Sequence, residues 1–228
     1  MPGRFWAFLI AASTALVILG ASILPFLHPA FVLTEQHRVG VERLTGFDAY
    51  TLAYVTGELV GDLIPSNGDF DVTVGDTPVL NDRERAHMRD VRGVFLGFFA
   101  LAALSAIGLL ITFRRTAEPG SRAALWRAVG KGARGLLVAL AVAAAFAAFA
   151  FDAAFEVFHR LFFSAGSYTF DPRTDLLVQL FPEQFWSDTA IAVGVVAIVV
   201  AVLTALLAAR RAGAARPAPV LATSKAGT

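Results

Sequence analysis

The chain has no cysteine, which removes thiolate zinc sites, iron–sulfur clusters, disulfide frameworks and thiol nucleophiles. Charge is scarce: 16% of the 228 residues are Asp, Glu, Lys or Arg, against about 25% in soluble globular domains. Gly-x-Ser-x-Gly, His-x-x-x-His and His-Glu-x-x-His are all absent, so neither a nucleophile elbow nor a helical zinc-protease site is encoded. No internal repeat is visible, which argues against a transporter built from inverted halves. What remains is apolar. The hydrophobic fraction is 57% and the mean hydropathy +0.65, the composition of an integral membrane protein.

The apolar residues gather in four stretches, approximately Phe5–Leu27, Gly93–Phe113, Gly135–Val157 and Thr189–Ala209. Each suffices to cross ~30 Å of hydrocarbon, which takes about 20 helical residues. The first runs well past the 7–15 apolar residues of a secretory leader and is read as a retained span. A net charge of +1 hides a strong asymmetry. The connection between spans two and three carries Arg114, Arg115, Arg122, Arg127, Lys131 and Arg134 against one acid, Glu118. Beyond span four come Arg210, Arg211, Arg216 and Lys225 with no acid. The positive-inside rule then puts both termini in the cytoplasm and residues 28–90 and 158–188 outside. The chain divides into residues 1–27, 28–90, 91–157, 158–188 and 189–211, with a disordered tail over 212–228. The fold class is an all-α membrane protein: four transmembrane helices with an extracytoplasmic cap of an amphipathic helix plus short strands.

Within the cap, Phe47, Tyr50, Tyr54, Leu59 and Leu63 recur at roughly helical spacing, which predicts an amphipathic helix over 46–64 lying on the outer membrane surface. Pro65-Ser66-Asn67-Gly68 ends it, and Asp71–Val74 alternates like a short strand. Asn81 with Glu84 forms a capping-box pair, from which a helix runs through His87 into span two and extends it above the membrane.

The second outer segment is the densest. Phe158, His159, Phe162, Phe163, Tyr168, Phe170, Asp171 and Asp175 precede Phe181, Phe185 and Trp186. Aromatic residues at a lipid boundary are ordinary anchors; interleaved with His, Asp and Arg between Gly and Pro turns, they suit a substrate pocket. Phe158, Phe162, Phe163, Tyr168, Phe170 and Trp186 are its candidate lining. The charge-derived topology brings His87 and His159 to one depth although they lie 72 residues apart. Asp152, Glu156 and His159 share one helix face at i, i+4 and i+7, and Asp152 and Glu156 near the end of a span invite a functional reading. His28 lies at a similar depth without a polar cluster, and His37 reads as a surface residue. Two histidines with a carboxylate are an acceptable zinc set, yet no local spacing supports one, and Ser164 and Ser167 beside His159 lack the elbow of a serine hydrolase. A membrane-interface acyl hydrolase, an intermolecular acyltransferase and a partner-binding pH sensor all remain compatible with these residues.

Taken in order, four motifs resemble the lipoprotein intramolecular transacylases of bacterial membranes. They are Glu84-x-x-His87-Met88-x-Asp90-Val91, Phe158-His159-x-x-Phe162-Phe163, Phe170-Asp171-Pro172-x-x-Asp175 and Phe181-Pro182-Glu183-x-Phe185-Trp186. With the four-span layout, the resemblance covers most of the chain outside the cytoplasmic connection and the tail. It implies a four-helix enzyme with a reaction zone under the cap, and His87 and His159 as catalytic residues. Glu84, Asp90, Glu156, Asp171 and Asp175 are then supporting polar groups. The implied reaction moves the sn-2 acyl chain of a diacylglyceryl-modified cysteine to that cysteine's own amine. Ester to amide is downhill, so no cofactor and no metal are expected. The expected partners are diacylglyceryl-modified lipoproteins and membrane lipid, with no nucleic acid.

Overall fold

The structure, a computed structural model, describes residues 3–63 and 68–214. Four helices are long and apolar enough to cross a membrane: α1 (Arg4–Ile23, continued by a 3-10 turn, Leu24–Leu27), α5 (Asp82–Arg115), α6 (Pro119–Phe162, whose candidate span is Pro119–Ala147 rather than the expected Gly135–Val157) and α8 (Glu183–Ala214). Helix α1 is central and touches the other three; α6 packs along α8 and α1 and hardly touches α5, its neighbour in sequence. Lipid is as apolar as a leucine, so these helices gain by close approach rather than by burying bulk. The seams are accordingly built from small residues. Ala128, Ala133, Ala197, Ala201 and Ala208 are all at most 2% exposed. A Cβ at Gly132 would collide with the Ala11 carbonyl oxygen, and one at Gly20 would lie 3.0 Å from the Ala102 methyl group. The buried hydroxyls of Thr14 and Ser22 donate to carbonyls four residues back, at 2.8 and 2.7 Å, which satisfies them within α1. Leu104, Val138 and Leu203 point outward.

Three features depart from the pattern read in the sequence. The connection between the second and third spans shrinks to residues 116–118, because α6 begins at Pro119 with Glu118 capping it through the amides of Gly120 and Ser121. Arg122, Arg127, Lys131 and Arg134 therefore sit on the first turns of α6 rather than in a loop. Helix α6 also breaks at Ala150 (φ −154°, ψ 56°), so its last three turns, which carry His159, take their own direction. Finally, α8 continues to Ala214; the rest of the expected tail lies outside the described residues.

The cap comprises α2 (Pro29–Val39), α3 (Val41–Thr45), α4 (Ala49–Leu63), a two-stranded hairpin (β1 Thr73–Val74, β2 Thr77–Pro78) and α7 (Leu176–Leu180). Its core joins Val41, Leu52, Val55, Leu59, Phe70, Val72 and Leu80 to Met88 of α5 and Leu177 and Leu180 of α7. The amphipathic face of α4 differs from the expected one. Leu52, Val55, Thr56, Leu59 and Leu63 are buried, while Tyr50 is 85% and Tyr54 46% exposed. The i, i+3, i+4, i+7 row that reaches the core starts at Leu52, and the aromatic pair lies off it. The expected turn over Pro65–Asn67 lies outside the described residues. The expected strand at Asp71–Val74 is two residues long and turns at Gly75 (φ 61°) into β2. Buried Gln36 ties three cap helices together: its amide donates to the Leu180 carbonyl at 3.0 Å and accepts from the Thr56 hydroxyl at 2.5 Å.

Above its apolar stretch, α5 holds the cap. Asn81 accepts from the amides of Arg83 and Glu84 while Glu84 accepts from the Asn81 amide, a full capping box. Arg83 pairs with Asp175, Arg85 with Asp71, and Arg89 with Asp69. Arg92 donates to the carbonyls of Asp62 and Gly68 and lies over the Phe70 ring at 5.2 Å. Each exposed pair contributes little; together they fix where the second turn of α5 points.

Candidate active site

His87 is on that second turn. It is three residues after Glu84, a residue 1% exposed that accepts two backbone bonds: one oxygen takes the Leu177 amide at 2.7 Å, the other the Asn81 amide at 2.8 Å. Glu84 thus locks α7 onto α5. Asp175 does the same for the preceding loop, accepting from Asn81, Arg83 and the Asp171 amide at 3.3, 3.0 and 2.8 Å. These two carboxylates hold the scaffold.

The folded loop presses Phe163 and Phe170 against His87, with ring centroids 4.8 and 5.5 Å away. Arg83 covers Phe170 at 5.0 Å. From the last turn of α6, His159 stacks on His87 at 6.1 Å with 23° between the planes. Phe163 contacts both imidazoles, lying 5.4 Å from His159. The remaining walls around His159 are Phe155 at 4.1 Å, Tyr168 at 5.0 Å and Phe158 at 5.4 Å. Both histidines are buried, 7% and 8% exposed.

Their hydrogen bonding differs. His159 Nδ1 lies 2.8 Å from the Phe155 carbonyl oxygen. A carbonyl only accepts, so Nδ1 carries a proton, and whenever the ring is neutral its lone pair is on Nε2. His87 Nδ1 is buried without a partner among the described residues. Burial pushes the His87 pKa down to about 4; the charge of His159 adds to this and Asp90 opposes it. His87 is therefore a neutral imidazole at pH 7, stacked on a second imidazole of defined tautomer.

The other expected residues divide. Glu156 accepts from Arg160 at 2.7 Å and from the Tyr168 hydroxyl at 3.3 Å, which secures the Tyr168 ring over His159. Asp90 is exposed and acts on His87 only through its charge. Asp171 pairs with Arg173 and is outside the ring cluster. Phe162 reaches the cluster only through Phe158, at 5.0 Å, and these two are about half exposed. Trp186 stays apart, packed on Phe181 and Phe185 at the start of α8. Asp152 is exposed, one turn below Glu156. His28 caps α2 by accepting from the Ala30 amide at 3.2 Å, and His37 pairs with Glu42. Among the described residues no three His, Asp or Glu side chains converge as metal ligands would. Sequence reasoning passed over Phe155 and Arg83. The first had a signal, its i−4 spacing to His159; the second had none.

Two imidazoles buried where an apolar four-helix bundle meets a polar cap mark a candidate active site at the cap end of a membrane-integral fold. Comparison with known proteins makes the class specific. The family model described as lipoprotein intramolecular transacylase Lit matches residues 5–186, and the chain belongs to that family. It is an acyltransferase acting on lipoproteins. The membrane-integral lipoprotein intramolecular transacylase Lit from Bacillus cereus, solved in meso, is similar over 92% of this chain and 96% of its own, with TM-score 0.74 and 18% identity. Two further structures of the same Bacillus cereus protein, each carrying a substitution of one histidine, align over 92% of this chain with TM-score 0.70 and 18% identity. Curated protein sequences contain no match.

Proposed function

We propose that His87 and His159 divide the transacylation between them, His159 moving the proton and His87 holding the developing charge. The amine nitrogen of a diacylglyceryl-modified N-terminal cysteine attacks the sn-2 ester carbonyl. An N–C bond forms, the bond to the glyceryl oxygen breaks, and one proton leaves nitrogen and ends on that oxygen. The ring so closed runs through amine nitrogen, Cα, Cβ, sulfur, two glyceryl carbons, ester oxygen and carbonyl carbon. Medium rings close reluctantly, and holding their ends together recovers roughly 7–11 kcal/mol of the barrier.

An α-amine of pKa about 7.7–8.0 is partly neutral at pH 7, so attack needs little help. Collapse is the harder step, because an alkoxide leaves far less readily than an amine. The lone pair on His159 Nε2 takes the proton from nitrogen and returns it to the glyceryl oxygen, a role worth about 10²–10⁴-fold. His87, kept neutral by burial, retains its N–H and offers it to the carbonyl oxygen as that oxygen becomes an oxyanion. One such donor is worth about 10²–10³-fold. The half-exposed faces of Phe158 and Phe162 receive the acyl chains from surrounding lipid. The cap and this site face outside a bacterial plasma membrane, with both termini in the cytoplasm. The observation that carries the reading is the 6.1 Å stacking of the two buried rings.

The test uses purified protein and a synthetic diacylglyceryl lipopeptide, free or N-acetylated, with and without EDTA, reading acyl migration and free fatty acid by mass spectrometry. His87→Asn and His159→Asn each lose at least about a hundredfold, the acetylated peptide is inert, and EDTA has no effect. Free fatty acid from the acetylated peptide indicates a hydrolase, and loss restored by zinc indicates a metal enzyme; either outcome refutes the proposal.

A further inference from the structure

On α6, Arg127, Lys131 and Arg134 stand at i, i+4 and i+7, one stripe along a single face. All three are exposed, and none has an ion-pair partner among the described residues. The opposite face, with Leu125, Ala128, Val129, Ala133 and Leu136, is buried against α1 and α8. Carried on at 100° per residue, the basic stripe runs into Val138 and Val142, which are 65% and 66% exposed. One outward face therefore changes from cationic to apolar between residues 134 and 138.

Among the described residues no carboxylate side chain pairs with the stripe. Residues 1–34, 91–151 and 189–228 contain one carboxylate side chain, Glu118, and both its oxygens are occupied by the Gly120 and Ser121 amides. The depth also fits a lipid phosphate. Gly130 lies against Ala208, two residues before Arg210, and Gly132 against Ala11, seven residues after Arg4. The stripe thus sits within about two helical turns of the membrane face on the side of the termini. Side chains on an α-helix lean toward its N-terminus, here that same face, so long Arg and Lys chains can set their charges at headgroup level.

We infer that α6 binds an anionic phospholipid on the side of the termini, its phosphate on Arg127, Lys131 and Arg134 and an acyl chain along Val138 and Val142. The apolar continuation selects a lipid over free phosphate, since only a molecule with chains gains from the valines. The site lies at the opposite end of the bundle from His87 and His159 and does not depend on their assigned roles.

Phosphatidylglycerol and phosphatidylcholine are titrated into the detergent-solubilised full chain and lipid retention is followed by native mass spectrometry, with turnover of detergent-dispersed lipopeptide as an independent check of folding. Three basic contacts together are worth roughly a hundredfold in affinity for an acidic lipid. Arg127→Gln/Lys131→Gln/Arg134→Gln loses about that much phosphatidylglycerol affinity, whereas Arg114→Gln/Arg115→Gln, an alternative charge loss at the same end, stays within about threefold. Arg127→Lys/Arg134→Lys keeps the charge and keeps the lipid, and raising the salt weakens binding to the wild type, so the idea is tested even if the triple variant does not fold. Retention of phosphatidylglycerol by the folded triple variant, equal loss in the Arg114/Arg115 variant, equal binding of phosphatidylcholine, or binding indifferent to salt overturns the inference.

Discussion

Acidification is a direct probe of His87. In the folded chain burial lowers its pKa from 6.5 to about 4, while the unfolded chain binds a proton at about 6.5. Between those values the unfolded state holds more protons than the folded one, so stability rises with pH and falls as pH is lowered from 6.5 toward 4. Two and a half pKa units correspond to about 3.4 kcal/mol in total, of which about 2 kcal/mol is gone by pH 5. Above about pH 7.5 this contribution is complete and constant. Carboxylates in the cap add their own acid dependence, so the informative quantity is the difference between wild type and His87→Phe, whose ring cannot titrate. Thermal unfolding in detergent from pH 7.5 to 4.5 gives it: the wild type loses about 2 kcal/mol more than the variant by pH 5. Histidine labelled with ¹³C at Cε1 tests the same point at the residue, with the four histidines of the chain assigned by single substitution. A His87 resonance titrating near pH 6.5, or identical pH slopes in the two proteins, refutes the neutral-imidazole argument and with it the role given to His87.

Further outcomes follow from other contacts. Glu84→Gln leaves either the Asn81 or the Leu177 amide without an acceptor in a buried place, and costs about 1–3 kcal/mol of stability, read as a lowered unfolding midpoint; an unchanged midpoint means the carboxylate does not hold α7. Tyr168→Phe keeps the ring on His159 and loses only the 3.3 Å hydrogen bond to Glu156, so transacylation falls by no more than about threefold, whereas Tyr168→Ala loses far more; equal losses would assign the work to the hydroxyl. Single cysteines at Asp76 and Ala117, in a chain that has none, report topology. A membrane-impermeant thiol reagent applied to intact cells labels the first and spares the second, and the reverse pattern inverts the orientation.

The sequence by itself determined that there are four spans, because crossing hydrocarbon demands a run of apolar residues whatever the neighbours do. It also determined the capping box at Asn81 and Glu84, a local hydrogen-bonding arrangement spanning four residues. The two histidines were legible as a pair through the charge asymmetry and the order of the motifs. Only the tertiary structure decided the rest. The break at Ala150 has no proline or glycine beneath it, so nothing local announced it, yet it directs the turn that bears His159. Tyr50 and Tyr54 read as one apolar face of α4 with Leu59 and Leu63, and only the leucines enter the cap core, because periodicity alone cannot say which of two apolar stripes meets a core. Trp186 stood close in sequence to the aromatic cluster and packs elsewhere, since the loop before α7 folds back on α5 and takes Phe170 to His87 instead. Glu84 and Asp175 read as supporting polar groups, and what they hold, the amides of Asn81, Leu177 and Asp171 together with Arg83 and the Asn81 side chain, appeared only in the folded chain. Asp90, with no hydrogen bond to the ring, acts on it through space. The difference between the imidazoles was invisible in the sequence: the His159 tautomer rests on a rotamer that reaches the Phe155 carbonyl four residues back at 2.8 Å, and the lowered pKa of His87 rests on surfaces that shut out water only once distant segments have met.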